Sequence, residues 1–197
     1  KMLSLSSCVI YSDDGGVTWK RGKSPNDGRR SFIFKLSSRF VGEPDMITES
    51  QVIEMPDGVL RMFMRNHSPK RLISMAESRD GGETWTNYRY NKALVHPICQ
   101  VSAINAMYKG REVTLVCNSA DKKKRINGTI RLSYDYGETF VASALVKEGE
   151  FVYSSMVQAD DGDIVLLYEG STMHETVDSL KFSIEEIEKG SVIYGRA

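Results

Sequence analysis

Five side chains of this chain have types that could together bind an anion and carry out nucleophilic chemistry. Two arginines can hold a carboxylate through paired hydrogen bonds and stay charged at any physiological pH. A tyrosine hydroxyl and two carboxylates add groups that can take part in proton transfer. In chain order the candidates are Glu49, Arg65, Arg125, Tyr153 and Glu169.

The spacing of these candidates around two tight turns places them at one end of a strand unit. The turns are predicted at Asp57-Gly58 and Asp161-Gly162. Glu49 and Arg65 stand eight residues before and after the first aspartate, and Tyr153 and Glu169 stand eight before and after the second. The start of a first strand and the end of the next lie at the same end of an antiparallel unit. Arg125, in a loop that follows a second strand, is predicted at that end as well.

Each candidate also has a plain structural interpretation. Arg65 and Glu169 could be ordinary charges at strand ends. Tyr153 could be a core tyrosine with one hydrogen bond. Glu49 stands close to apolar residues of its strand, where an unpaired carboxylate would be costly, so we expect it to have a partner. The site is favoured because all five residues fall at equivalent ends of repeated units.

A second pattern, Ser-x-Asp-x-Gly-x-Thr-aromatic, occurs three times, and we call these segments the Ser-x-Asp turns. They are Ser12–Trp19, Ser78–Trp85 and Ser133–Phe140. Serine and aspartate side chains can hydrogen-bond the backbone of a tight turn, glycine permits a positive φ, and the aromatic ring is expected to tuck between strands. A calcium site would need more oxygen ligands than the motif offers. The turns are therefore predicted to be scaffold.

The segments between these turns predict an all-β fold. Short apolar runs such as Leu60–Met64, Val113–Cys117 and Ile164–Tyr168 each follow a glycine turn. Repetition of a four-stranded antiparallel unit predicts a β-propeller, with blade boundaries near 1–23, 48–90, 99–146 and 151–197. A six-bladed ring would need roughly 360 residues at this spacing. The chain is thus predicted to form about three and a half blades, as the C-terminal portion of a longer domain.

Charge and composition argue against several partners. The 26 basic and 26 acidic residues cancel, which gives no reason to expect nucleic acid or an anionic membrane; the run Lys122–Arg125 is predicted to be a solvated loop. No apolar run is long enough for a membrane span, and no signal-peptide pattern opens the chain. The three cysteines lack metal-ligand spacing, and Cys8 and Cys117 are expected to be buried thiols, with one disulfide left open. No metal or cofactor is predicted.

At these motifs the chain resembles the bacterial sialidase (neuraminidase) family, whose repeats are known as Asp boxes. The resemblance covers essentially the whole chain. The motifs that carry it are the three Ser-x-Asp turns, Thr48-Glu49-Ser50, Phe63-Met64-Arg65, Lys124-Arg125-x-Asn127-Gly128, Phe151-x-Tyr153-Ser154 and Leu167-Tyr168-Glu169.

The resemblance implies a retaining exo-α-sialidase that acts on sialylated glycans through a tyrosyl-enzyme intermediate. It implies that Tyr153 is the nucleophile, that Glu49 is its base, and that Arg65 and Arg125 are the second and third members of an arginine triad. Glu169 would orient the first arginine. That arginine and the acid/base aspartate match nothing in this chain, so we expect the chain alone to be inactive and to need an N-terminal half, possibly a separate chain. The family also implies a secreted or cell-surface location.

Three other functions stay open at this point. A trans-sialidase, or one that forms an anhydro product, would use the same residues with different acceptor-side loops. Ser31–Ile47 is a candidate for such a loop, with Phe32, Phe34 or Phe40 as stacking residues, although a plain strand fits it equally. A non-catalytic sialic-acid-binding propeller would keep the arginines without needing Tyr153 and Glu49. A glucanase with the same turns would use paired carboxylates instead.

Overall fold

The computed structural model describes residues 6–27, 46–173 and 175–190, and in these ranges the protein is almost entirely β. Residues 31–45 of the candidate acceptor loop lie outside the described residues. The strands are β1 (Ile10–Tyr11), β2 (Lys20–Arg21), β3 (Ile47–Glu54), β4 (Leu60–Asn66), β5 (Leu72–Ser78), β6 (Thr86–Val95), β7 (Val101–Tyr108), β8 (Arg111–Ser119), β9 (Ile126–Ser133), β10 (Ala142–Glu150), β11 (Ser154–Gln158), β12 (Ile164–Glu169) and β13 (Val177–Phe182); the helix α1 spans Ile184–Glu188.

The strands form antiparallel sheets in which neighbours in sequence are neighbours in space. Two sheets have four strands, β3-β4-β5-β6 and β7-β8-β9-β10, and a third has the order β11-β12-β13. The predicted order of strand, glycine turn, strand, loop, strand, Ser-x-Asp turn and strand is confirmed in both four-stranded sheets. The chain divides into two compact units, residues 1–91 and 92–197.

Both faces of the middle strands are buried, which explains their continuous apolar sequence. In β4, Met62, Phe63 and Met64 are each no more than 1% exposed although alternate side chains of a strand point to opposite faces. β8 is buried in the same way from Val113 to Ser119. A sheet covered on both sides loses the polar alternation of a half-exposed sheet.

The core of the second unit lies between the sheet β7–β10 and the sheet β11–β13. Leu115 and Ile130 from the first sheet cluster with Leu166 from the second, and all three are fully buried. Helix α1 closes this core through Ile184 and Ile187. A capping box at its first turn, with Ser183 as N-cap and Glu186 at the third position, fixes where the helix begins.

The three Ser-x-Asp turns have the same internal hydrogen bonds. In each, the serine Oγ donates to the aspartate at 2.7 Å and accepts the glycine N–H at 2.7–2.8 Å. The aspartate also accepts from the threonine N–H and hydroxyl. Hydrogen bonds from Thr18 and Thr84 hold the pKa of Asp14 and Asp80 at about 2. These carboxylates are used within their own turns, as expected of scaffold.

Two expectations about individual side chains are wrong. The Trp19 ring does not tuck between strands: it is 60% exposed, and its indole N–H donates to the Gly16 carbonyl at 3.0 Å. Trp85, in the equivalent place of the second turn, packs against the core of its unit. Cys8 is exposed, whereas Cys99 and Cys117 are buried, and all three are free thiols. Burial raises the pKa of Cys117 to about 12, so that thiol is inert.

The carboxylate of Glu77 is predicted to stabilise the first unit at neutral pH, and this stabilisation is predicted to be lost at acid pH. Arg61 and Arg89 pair with its carboxylate at 2.7 and 3.0 Å, and Asn87 donates to it at 3.1 Å. Burial alone would raise the pKa of Glu77, but these hydrogen bonds outweigh it and lower the pKa from 4.5 to about 2. A difference of this size corresponds to about 3 kcal/mol.

Because the folded pKa is the lower one, this stabilisation is present above pH 4.5 and is lost as the pH falls toward 2. Denaturant unfolding of the protein and of its Glu77→Gln variant should therefore show a gap in unfolding free energy at pH 7 that narrows steadily as the pH falls from 4.5 to 2. A gap that stays constant across this range would contradict the prediction.

Candidate active site

Glu49 occupies a β-bulge in the first unit. β3 pairs with β4 so that Thr48 faces Arg65 and Ser50 faces Met64, which leaves Glu49 as the extra residue. Its backbone φ angle is +34°, a value that residues other than glycine rarely adopt. Bulges of this kind re-aim a side chain, and strained backbone of this kind is concentrated at functional sites.

The re-aimed carboxylate forms an ion pair with Arg65. Glu49 Oε1 accepts a hydrogen bond from Arg65 Nη1 at 2.8 Å, and Oε2 accepts one from Thr48 Oγ1 at 2.7 Å. The Arg65 side chain is 13% exposed and that of Glu49 33%. The expectation that Glu49 has a partner is thus confirmed. Burial, followed by the charge of Arg65, lowers the pKa of His67, so the neighbouring imidazole adds no positive charge at neutral pH.

In the second unit, the loop between β8 and β9 separates Arg125 from the lysines beside it. Asp121 Oδ1 accepts the backbone N–H groups of Lys123 and Lys124 at 2.6 and 2.7 Å, which folds the loop into a tight turn. Lys122, Lys123 and Lys124 are exposed, as predicted, whereas Arg125 is half-buried. Of these four basic residues, only Arg125 is partly shielded from solvent.

Arg125 lies over the ring of Tyr153. The guanidinium carbon is 5.7 Å from the ring centroid, within the range of a cation–π contact. The segments that carry the two residues are joined through the backbone, because the N–H of Phe151, two residues before Tyr153, donates to the Arg125 carbonyl at 2.9 Å. A fixed cation beside the ring favours negative charge as it develops on the phenol.

The backbone that carries Tyr153 is held at three successive carbonyls. This segment, residues 151–153, precedes β11 and runs beside the end of β12. The groups that donate to the carbonyls of residues 151, 152 and 153 are Ser119 Oγ at 2.7 Å, Cys99 Sγ at 3.3 Å and the N–H of Glu169 at 2.9 Å. The Glu169 carbonyl in turn accepts the N–H of Val152 at 3.0 Å. Glu169 therefore lies across from Tyr153, as the spacing predicts.

A shallow cavity of about 300 Å³ opens beside Tyr153, and its walls include Gln100, Ser154, Tyr168 and Glu169. Its position makes the tyrosine side chain, which is half-buried, accessible from one side. No group of three or more histidine, cysteine, aspartate or glutamate side chains that could hold a metal ion is found in the part of the chain that the structure describes.

Gly128 is predicted to contribute to stability because Phe151 packs directly on it. A Cβ at this position would lie 2.2 Å from Phe151 Cδ2, and the buried Phe151 ring stacks on Tyr168 with 5.2 Å between the ring centroids. Gly128→Ala should lower the free energy of unfolding by about 1–3 kcal/mol, because neither ring has room to move. In a Phe151→Ala background the same change should cost less than 1 kcal/mol. An undiminished cost in the double variant would exclude the clash as its cause.

The predicted site residues fall into two groups. Glu49 and Arg65 lie together in the unit of residues 1–91, and Arg125, Tyr153 and Glu169 lie together in the unit of residues 92–197. The convergence of the two groups on one channel stays a prediction. The sequence did not single out the residues that hold the Tyr153 segment, Cys99 and Ser119; Cys99 stands two residues before β7 and Ser119 is the last residue of β8, and neither position carries a local signal of this role.

Comparison with known proteins assigns the chain to a family. The model of the BNR repeat-like domain matches residues 4–166. The chain belongs to this family. A sialidase of Bacteroides fragilis is 32% identical to it over 182 residues, which are 88% of this chain and 30% of that protein. The resemblance to sialidases is thus confirmed, and the chain spans less than a third of this relative's length.

Several solved structures that are similar to this member of the family carry the name sialidase or trans-sialidase. The leech intramolecular trans-sialidase is 25% identical, with a TM-score of 0.73 over 91% of this chain and 28% of its own. The NanB sialidase of Streptococcus pneumoniae, 21% identical, has a TM-score of 0.74 over 94% of this chain and 28% of its own. The likeness confirms the predicted β-propeller class; the number of blades stays a prediction. No helix in the described ranges is long and apolar enough to cross a membrane.

Proposed function

We propose that this chain provides the nucleophile half of the active site of a retaining exo-α-sialidase. The observation that carries the proposal is the setting of Tyr153: its backbone is fixed by neighbouring strands, and a guanidinium lies 5.7 Å from its ring. A cation at the ring face is not sufficient by itself, because Arg111 also lies over Tyr134; the proposal is supported by the combination of the cation, the fixed backbone and the cavity of about 300 Å³ beside Tyr153. The similarity to proteins named sialidase supports the same reaction class.

The substrate's own carboxylate explains why the nucleophile is a tyrosine. Sialic acid carries a carboxylate on the anomeric carbon, which would repel an attacking aspartate or glutamate, whereas a neutral phenol approaches freely. The same carboxylate needs cations, and Arg65 and Arg125 are the proposed second and third members of an arginine triad. Because Arg65 is already oriented by Glu49 at 2.8 Å, it would be ready to bind without rearrangement.

The proposed first step forms a bond between the Tyr153 oxygen and the anomeric carbon while the bond from that carbon to the leaving oxygen breaks. Glu49 accepts the phenolic proton, and an acid supplied from outside this chain protonates the leaving group. In the second step water attacks the anomeric carbon and gives a proton to the same external group, the bond from that carbon to the tyrosine oxygen breaks, and Tyr153 regains its proton from Glu49. Two inversions give net retention.

The remaining parts of the site are proposed to come from an N-terminal half of the same domain, in the same or a separate chain. These are the first arginine of the triad, which Glu169 would orient, and the acid/base aspartate. The 197 residues alone are therefore expected to be inactive. The proposed substrates are sialylated glycans or glycoproteins, which implies a secreted or cell-surface protein, and no cofactor is required.

Hydrolysis of a fluorogenic α-sialoside tests this function, with the chain joined to the N-terminal half of its domain. Turnover is expected, and proton NMR should show the α-anomer of free sialic acid as the first product. A β-anomer formed first would contradict the retaining mechanism. Binding of sialic acid without turnover would instead identify a sialic-acid-binding propeller.

A second function, intramolecular trans-sialidase, is favoured by the similarity to the leech enzyme of that name. It uses the same tyrosyl intermediate but completes the reaction with a hydroxyl of the bound sugar rather than with water. The product of the same NMR experiment decides between them: an anhydro sugar replaces free sialic acid. Transfer to an added sugar acceptor would identify an intermolecular trans-sialidase.

A further inference from the structure

Two glutamine side chains join the first strands of neighbouring sheets in the second unit. Gln100, just before β7, accepts the N–H of Ser154 at 3.1 Å and donates to the Ser154 carbonyl at 2.9 Å. Gln158, the last residue of β11, accepts the N–H of Met107 at 2.7 Å and donates to the Met107 carbonyl at 2.8 Å. Each carboxamide thus makes the two hydrogen bonds, one to an N–H and one to a carbonyl, that a residue of a neighbouring strand would make.

The two glutamine clamps differ in what they hold. Met107, held by Gln158, is exposed and remote in sequence from every candidate site residue. Ser154, held by Gln100, follows Tyr153 directly, and both line the shallow cavity together with Gln100. The same pair of hydrogen bonds therefore occurs once beside the proposed nucleophile and once at the opposite end of the strand pair β7–β11.

Gln100 acts on the peptide plane between Tyr153 and Ser154. The carbonyl of that plane accepts the N–H of Glu169 at 2.9 Å, and its N–H donates to Gln100 Oε1 at 3.1 Å. With both polar groups held, the plane cannot rotate, and its orientation sets the ψ angle of Tyr153. That angle helps to fix the direction in which the side chain leaves the backbone.

We propose that Gln100 is a positioning residue for the Tyr153 nucleophile. The proposal rests on the function proposed above. Gln100 does not have to touch the substrate, because it acts by keeping the tyrosine oxygen at its attack distance. A displacement of about 1 Å at a reacting group can cost about 100-fold in rate. Loss of the clamp should therefore lower kcat and leave substrate binding unaltered.

The test compares Gln100→Met with Gln158→Met in the complete domain. Methionine keeps the length and most of the volume of glutamine but makes neither hydrogen bond, so each variant loses one clamp without gaining a cavity. Gln100→Met is expected to lower kcat by about 10- to 100-fold with KM within twofold. Gln158→Met should keep kcat within twofold while it lowers the melting temperature at least as much as Gln100→Met does, because Gln158 also donates to the Gly162 carbonyl at 2.9 Å. The matched alanine variants serve where a methionine variant does not fold.

Equal effects of the two variants on kcat, or a Gln100 effect confined to KM, would overturn the proposal. Amide hydrogen exchange provides a readout independent of turnover: the Ser154 amide should exchange faster in Gln100→Met and at the wild-type rate in Gln158→Met. If the wild-type domain turns over no sialoside, the proposed function is contradicted, but the role of Gln100 in holding the peptide is still open to test. The exchange of the Ser154 amide then still decides whether Gln100 holds this peptide, and unaltered exchange refutes it.

Discussion

Tyr153→Phe is expected to lower kcat for an α-sialoside by about three orders of magnitude or more. The phenyl ring keeps its place beneath the Arg125 guanidinium and its carbonyl keeps the hydrogen bond from the Glu169 N–H, so the fold and the binding of the sugar carboxylate should persist. Only the oxygen that forms the covalent bond is lost. Steady-state kinetics on the complete domain, with sialic acid affinity measured by calorimetry, separates the two effects.

Tyr134→Phe is the matched control for this substitution. Tyr134 belongs to the same unit, and its hydroxyl donates to the exposed Glu188 at 3.0 Å, away from every candidate site residue. The control is expected to keep kcat within twofold of the wild type. If Tyr153→Phe retained more than a tenth of the wild-type kcat, Tyr153 could not be the nucleophile.

Glu49→Gln is expected to lower kcat by about 100- to 10,000-fold. The amide keeps the shape of the side chain, and its oxygen can still accept from Arg65 or Thr48, but it cannot take the proton of Tyr153. Because Arg65 loses its anionic partner at 2.8 Å, its charge becomes more available to the substrate carboxylate, so KM should stay constant or fall. A kcat–KM comparison therefore separates loss of the base from loss of binding.

The matched control uses the opposite end of the same strand. Glu77 pairs with Arg61 at the turn end of β4, as Glu49 pairs with Arg65 at the other end. Glu77→Gln removes an arginine-paired carboxylate in the same way, so it should cost stability without a change in kcat at pH 7. Equal losses of kcat in the two variants would show that activity depends on the pairing of carboxylates with the arginines of β4, and not on proton transfer to Glu49.

The spacing of residues around the predicted hairpin turns gave the strand register correctly in the second unit but not in the first. Tyr153 and Glu169 are equally distant from their turn, and they are joined by a backbone hydrogen bond as a regular hairpin requires. Glu49 and Arg65 have the same spacing, but the bulge shifts the register by one residue between Thr48 and Ser50. A positive φ at a glutamate is imposed by tertiary contacts, and no local sequence preference predicts it.

Other features depend on contacts between residues distant in the sequence. The Gly128–Phe151 contact and the Gln100–Ser154 clamp join segments 23 and 54 residues apart, and neither partner carries a local signal of the other. The Ser-x-Asp turns were predictable because all their hydrogen bonds are local. The exposure of Trp19 was not, because it depends on what packs against the turn rather than on the turn itself.

The covalent bond to Tyr153 is the central claim, and peptide mass spectrometry after trapping tests it most directly. A sialosyl fluoride that carries a second fluorine beside the anomeric carbon should form the intermediate and hydrolyse slowly, because fluorine destabilises the positive charge that develops in both steps. The account predicts one sialyl adduct on the peptide that contains Tyr153 in the complete domain, and no adduct in Tyr153→Phe. An adduct on another residue, or turnover of a fluorogenic sialoside by a domain that is never labelled at Tyr153, would contradict it.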